Sequence, residues 1–214
     1  MKNLKLFLSA AFMAVVVFSA CEPKDDPNKP PVEKEGGVII NGVCWAKCNV
    51  GTFGTFVANP EDAGMLYQWN RKTAWNDTDE TVTGWDKSLP EGTTWAAVND
   101  PSPAGWRLPT KQEFSSLFES GKVKRERVEV NGVYGIKVTD IATNKSIFFP
   151  KAAGYRYGND GGLDVNRYGN YWSGTEYNST SANIFTFDIG SWPGSTSTHY
   201  AHKTWGLSVR PVAK

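Results

Sequence analysis

The chain has 214 residues, 40% hydrophobic, 13% aromatic and 21% charged, with 23 basic against 22 acidic side chains. That size predicts one main domain with room for a proper core. A formal charge of +1 supplies no electrostatic reason for a nucleic acid or an anionic membrane surface as partner, and no nucleic-acid partner is expected.

Lys2 and Lys5 make a short positive start, and Leu6 to Phe18 an apolar run without a charge. The run is shorter than the ~20 apolar residues of a membrane span and suits the core of a signal peptide. Small residues then lead into a cysteine, Phe18-Ser19-Ala20-Cys21, which resembles a lipobox with Phe18 where Leu is more usual. Residues 1–20 are therefore expected to be a lipoprotein signal peptide and Cys21 the lipidated residue. A diacylglycerol thioether there would anchor the chain by burying methylenes at ~0.8 kcal/mol each. An ordinary signal peptide cleaved nearby, with Cys21 incidental, is the alternative. Removal of Lys2 and Lys5 would move the net charge from +1 to about −1.

Residues 21–36, with Pro23, Pro27, Pro30 and Pro31 among charged side chains, read as a disordered linker that cannot bury apolar surface. Lys24-Asp25-Asp26 resembles the acidic signal that sends Bacteroidetes lipoproteins to the outer face; a solvated spacer is the alternative. The expected location is the outer membrane, at the cell surface. Residues 37–214 form the expected folded domain.

In chain order, Val38 to Ala46 reads as strand, Asn41-Gly42 turn, strand. On one extended strand Cys44 and Cys48 would lie about 13 Å apart, beyond disulfide reach, so two reduced thiols are expected, with a strained bridge across a local turn as the alternative. Asn59-Pro60-Glu61-Asp62 predicts a helix start that Gly64 ends within about a turn, followed by an extended Met65 to Trp69. Residues 70–100 are polar and irregular, with the indoles of Trp75, Trp85 and Trp95 as their anchors. The clearest helix has Thr110 as cap, Glu113 completing a capping box, an apolar stripe of Phe114, Leu117 and Phe118, and Gly121 to stop it. Alternation around Asn131-Gly132 predicts a hairpin over Arg127 to Val138. A turn near Thr143-Asn144 leads to a strand at Ile147 to Phe149. Further strands are expected about Tyr171 to Ser173, at Ile184 to Phe187 and at Gly206 to Val212, with Ser195 to His202 a loop. Helices before a string of short strands and long loops predict an α+β domain.

Several stretches together carry a resemblance. They are Asn41 to Ala46 (NGVCWA), Asn59 to Gly64 (NPEDAG), Tyr67-Gln68-Trp69 and Pro103 to Thr110 (PAGWRLPT), then Ala152 to Arg156 (AAGYR), Tyr171 to Thr175 (YWSGT) and Gly206 to Val212 (GLSVRPV). From about Val38 to the C-terminus the chain resembles the Fibrobacter succinogenes major paralogous domain, a C-type-lectin-like module of Bacteroidetes surface lipoproteins. The resemblance implies a C-type-lectin-like fold with one main helix, paired N- and C-terminal strands that close the base, and long loops forming the opposite, variable surface. It supplies no catalytic residue. Trp106, Trp172 and Leu207 read as core, and Arg107 and Arg210 as residues of buried pairs or carbonyl contacts.

The candidate chemistries are narrow. Calcium-dependent lectins place a Trp-Asn-Asp near the C-terminus with a Glu-Pro-Asn; Trp75-Asn76-Asp77 lies before the main helix and has no such companion. Asn159, Asp160, Asp164 and Asn166 form a weaker oxygen cluster, but calcium takes about six to eight oxygens and these residue types populate turns anyway. His199 and His202 would need a third zinc ligand, and the cysteines are remote in sequence. No Gly-x-Ser-x-Gly elbow marks a nucleophile. The formylglycine-generating oxidases, which share a related fold, use late cysteines, and nothing after Cys48 is cysteine. No metal, no cofactor and no catalytic residue is expected, and the chain is not expected to be an enzyme.

Six of the eight tyrosines fall between Tyr155 and Trp205, among Asn, Ser, Gly and Thr. Antibody paratopes have a similar composition, because tyrosine offers a large amphipathic contact with few torsions to freeze and small polar residues adapt their hydrogen bonds. The expected ligand-binding residues are Tyr157, Asp160, Tyr168, Tyr177, Asn178, Trp192, His199 and Tyr200. The expected function is adhesion or ligand binding, to an extracellular glycan or protein. The alternative is a structural or tip subunit of a surface assembly such as a fimbria.

Overall fold

The computed structural model describes residues 31–151, 154–165, 168–190 and 196–214, with the side chains of that last segment from Ser197 on. Cys21, Asn166 and Trp192 lie outside the described residues.

The strands run in chain order as β1 (Gly37–Ile40), β2 (Val43–Ala46), β3 (Leu66–Gln68), β4 (Ala74–Trp75) and β5 (Trp106–Arg107). The helix α1 (Lys111–Ser116) follows, then β6 (Val123–Val130), β7 (Val133–Asp140), β8 (Ser146–Pro150), β9 (Tyr155–Arg156) and β10 (Leu163–Asp164). The last five are β11 (Tyr168–Asn178), β12 (Ser181–Asp188), β13 (Thr196–His202), β14 (Gly206–Leu207) and β15 (Val212–Ala213). They form sheets ordered β1-β2-β15-β5, β10-β9-β14-β3-β4, β11-β12-β13 and β6-β7-β8. The first pairs the beginning of the domain with its end, through Trp45 and Val212.

Of the described residues, 42% lie in strands and 5% in helix. The fold is β-rich, built of several antiparallel sheets, which overturns the expectation of an α+β, C-type-lectin-like domain with one main helix. The reason is visible at α1. Thr110 and Glu113 exchange both capping-box hydrogen bonds, at 3.2 and 2.7 Å. A capping box sets where a helix begins, not how far it runs. Here Leu117 already ends it after six residues, and Gly121 (φ 78°) turns the chain toward β6.

The helix expected from Asn59 is a single turn. Asp62 accepts from the Asn59 amide at 2.9 Å, and Gly64, at φ +76°, then presses against Val50. A Cβ at Gly64 would collide with the Val50 carbonyl oxygen. That close approach lets Met65 donate to Val50 O at 3.0 Å, so a backbone bond between distant segments displaces local helix.

Local signals hold where the turn chemistry is strong. Asn131 and Gly132 have φ of 48° and 83°, the left-handed pair of a type I′ turn, and β6 and β7 pair from Val130–Val133 out to Val123–Asp140. The segment expected as a loop before His202 is instead β13, whose Ser and Thr alternate across a ladder with β12. Tertiary pairing overrides the weak local preference there.

The sheet β11-β12-β13 separates two cores. Tyr171, Phe185 and Phe187 face a cluster that includes Trp45, Phe114 and Phe149. Trp172, Ala182 and Ile184, on the other face, join Tyr67, Trp69, Leu207 and Val209. Indoles anchor the long irregular segment as expected: Trp85 and Trp95 are buried, and Trp85 Nε1 donates to Gly158 O at 3.2 Å. Cys44 and Cys48 are both free thiols.

Candidate functional site

The second face of β11-β12-β13 is only partly covered. Register places Asn170 opposite Thr186, and Trp172 opposite Ile184, which in turn faces His199. Side chains two apart on a strand share a face, so these residues form one surface. Trp172 and Ile184 carry it into the core, while Asn170, Thr186 and His199 carry it out toward solvent. Thr186 Oγ1 donates to Asn170 Oδ1 at 2.8 Å, and what Asn170 then offers as donor is its Nδ2 amide group.

A wall rises beside this floor. β9 and β14 pair through Arg156 and Gly206, which sets the neighbouring Tyr155 and Trp205 together. Their rings stack with centroids 4.7 Å apart and planes 2° apart. Tyr157 packs its ring edge-on against both, at 5.1 and 6.1 Å. The Tyr157 hydroxyl donates to Asp164 Oδ2 at 2.6 Å. Burial, and then hydrogen bonding to Tyr157 and Asp164, pushes the Tyr155 phenol above its usual range, so it stays protonated and neutral at any physiological pH.

Floor and wall enclose a groove of about 390 Å³, to which Tyr168, Tyr200, Ala201 and Leu207 also contribute. Among the described residues no Lys, Arg, Asp or Glu lines it. On the edge strand, Tyr200 stacks face to face with Tyr177 at 4.3 Å and with His199 at 4.7 Å. Tyr157, Tyr168, Tyr177 and Tyr200 are all at least 38% exposed, so these rings do not simply fill the core.

The expected binding residues are therefore distributed unevenly. Tyr168, His199 and Tyr200 line the groove, Tyr177 extends the ring stack beyond it, and Tyr157 supports the wall. Asp160 and Asn178 sit in turns with their oxygens engaged. Asp160 Oδ1 accepts from the Gly162 amide, and Asn178 Oδ1 from the amides of Thr180 and Ser181. Trp192 lies outside the described residues. Sequence reasoning missed Trp205, Asn170 and Thr186 as site residues. The strand alternation at Ile184-Phe185-Thr186-Phe187 carried the signal for Thr186, since an apolar core strand has little reason for a hydroxyl on one face.

Other candidate chemistries resolve locally. Asn76, in the tryptophan-linked Asn-Asp motif, gives its carbonyl and side-chain oxygens to the Arg156 guanidinium, at 2.8 and 2.9 Å from Nη2. His199 and His202 stand three apart on β13, hence on opposite faces, and His202 Nδ1 lies 2.7 Å from Thr204 Oγ1. Among the described residues no three of His, Cys, Asp and Glu come together in a way that could hold a metal ion. Arg107 pairs with Glu113 at 2.6 Å, and Arg210 donates to the carbonyls of Ala46 and Lys47. No family model, no curated protein and no solved structure matches the chain.

Proposed function

We propose that the chain is a non-enzymatic surface lipoprotein, tethered to the outer membrane through Cys21, whose domain binds an extracellular glycan or protein ligand in the aromatic groove. One observation carries this reading: a concave site of stacked rings and neutral polar groups stands open on a rigid sheet face. Concave, ring-lined sites with a few placed polar groups are the usual form of ligand pockets. The motif order from Asn41 to Val212 supports a place among the paralogous lipoproteins named above; the fold expected from that resemblance is what the structure corrects. Binding is tested by probing mixed glycan and peptide arrays with the chain and with its Trp205→Ala variant. Signals that are identical for both would remove the groove as the site. The anchor is tested separately: Cys21→Ser should abolish labelling by an alkyne fatty acid, and unchanged labelling rules Cys21 out.

A second reading, a subunit of a surface assembly, is favoured by β13. This seven-residue edge strand has no charged residue and no proline, whereas β6, also an edge, carries Lys124, Arg125, Glu126, Arg127 and Glu129. Charged edges resist pairing with another chain, and uncharged ones invite it. Recovery of one stoichiometric partner, lost on proline substitution at Ser197 or Thr198, would support this reading. A chain that stays monomeric and partner-free would count against it.

A further inference from the structure

We infer that the groove takes an uncharged oligosaccharide, stacked on the Tyr155–Trp205 wall and hydrogen-bonded to Asn170 and Thr186. This rests on the reading of the groove as the ligand site. Its size comes first. A volume of about 390 Å³ falls in the range of roughly 300–1,000 Å³ typical of small-ligand pockets.

The lining then selects among ligand chemistries. A phosphate, sulfate or carboxylate would lose water here, and among the described residues no Lys or Arg lines the groove to replace it, so its desolvation would be costly. A wholly apolar ligand would offer nothing to the Asn170 Nδ2 amide group or to the lone pairs of the Thr186 oxygen, whose proton already bonds Asn170 Oδ1. An extended peptide needs free backbone groups, as a sheet edge provides. The floor here is a sheet face, and the backbone groups of β11 and β12 already bond each other along the ladder. A neutral sugar ring meets all three conditions. Its C–H faces are apolar and flat enough to lie on an aromatic ring, and its hydroxyls are uncharged donors and acceptors around the rim.

The wall is also set in advance. Tyr155 and Trp205 are parallel to within 2°, and Tyr157, bonded to Asp164, braces them from the side. Preorganised rings lose little freedom when a ligand arrives. The stack of His199, Tyr200 and Tyr177 continues the aromatic surface past the groove. That continuation provides for a second sugar unit, and so for an oligosaccharide.

The experiment uses the chain from residue 21 with Cys21→Ser, titrated by calorimetry and tryptophan fluorescence. The probes are neutral gluco-, galacto-, manno-, xylo- and fuco-configured oligosaccharides, tetragalacturonate, a heparin tetrasaccharide and uncharged decapeptides. At least one neutral saccharide should bind with an affinity independent of salt. Trp205→Ala should weaken it roughly tenfold or more, and Thr186→Val several-fold, while Trp205→Tyr keeps most of it. Unchanged thermal midpoints establish that these variants fold. If only acidic saccharides or peptides bind, and Trp205→Ala abolishes that binding, the sugar class is wrong and the groove stands as the site. If binding of every probe is indifferent to both Trp205→Ala and Thr186→Val, or no probe binds at all, the groove reading falls with it.

Discussion

Arg156 holds Asn76 through three hydrogen bonds: its Nε and Nη2 both donate to the Asn76 carbonyl oxygen, and Nη2 also reaches Asn76 Oδ1. Nη2 further donates to Asp79 O, and Nη1 to Gly161 O at 2.6 Å. The guanidinium is fully buried, and it ties the irregular segment after β4 to the turn that follows β9. Its neighbour in sequence is Tyr155, so the wall of the groove is fastened from behind by a planar, permanently charged fork.

Arg156→Met should therefore leave several buried carbonyls without donors. We expect a loss of about 3 kcal/mol or more in a urea titration, and Arg156→Lys should recover little of it, because an ammonium cannot span the same oxygens. A loss under about 1 kcal/mol for Arg156→Met would show that water replaces the guanidinium.

Two glycines with the same backbone conformation should respond differently to alanine. Gly64 and Gly121 have φ of +76° and +78°. Gly121 has open space where a Cβ would go, so Gly121→Ala should cost only the left-handed strain, ~1–2 kcal/mol. Gly64→Ala adds a collision with backbone at Val50 and should cost clearly more. Equal thermal shifts for the two would refute the close-approach account of residues 59–65.

The capping box predicts an acid limb. Burial pushes the Glu113 carboxyl up, but hydrogen bonds from Arg107 and Thr110 outweigh it, and the net result lies below the ordinary 4.5. A carboxyl lowered in the folded state stabilises fully above its unfolded value, and that contribution is lost as pH falls through the folded one. Stability should thus drop below about pH 4.5, and Glu113→Gln should flatten this part of the profile in pH-dependent melting. Thr110→Ala should cost ~1 kcal/mol at neutral pH.

Thiol chemistry checks the pairing of the cysteines. Cys44 is buried, and burial raises the Cys48 thiol above its usual 9.0. Native protein should react slowly with iodoacetamide at neutral pH, and denatured protein should take up label at both Cys44 and Cys48 without prior reduction. A requirement for reductant, read by mass spectrometry, would establish a bridge instead.

Much of this molecule is written in short stretches of the chain. Asn131-Gly132 specifies a hairpin because both residues accept positive φ, and Thr110 with Glu113 marks a helix start because each satisfies the other's orphan amide. The buried roles of Trp106, Trp172, Leu207 and Arg210 were legible from residue type and setting. The late tyrosines were expected to face solvent, and four of them are exposed, at Tyr157, Tyr168, Tyr177 and Tyr200.

What the sequence by itself determined is thus every feature whose energy comes from neighbours within a few residues: turns, the cap, alternation, the clustering of late tyrosines. The conversion of residues 196–202 into an edge strand and the meeting of Tyr155 with Trp205 were decided only in the tertiary structure. Each depends on hydrogen bonds or ring contacts between segments far apart in the chain, and no local propensity encodes which distant strand will arrive to complete them.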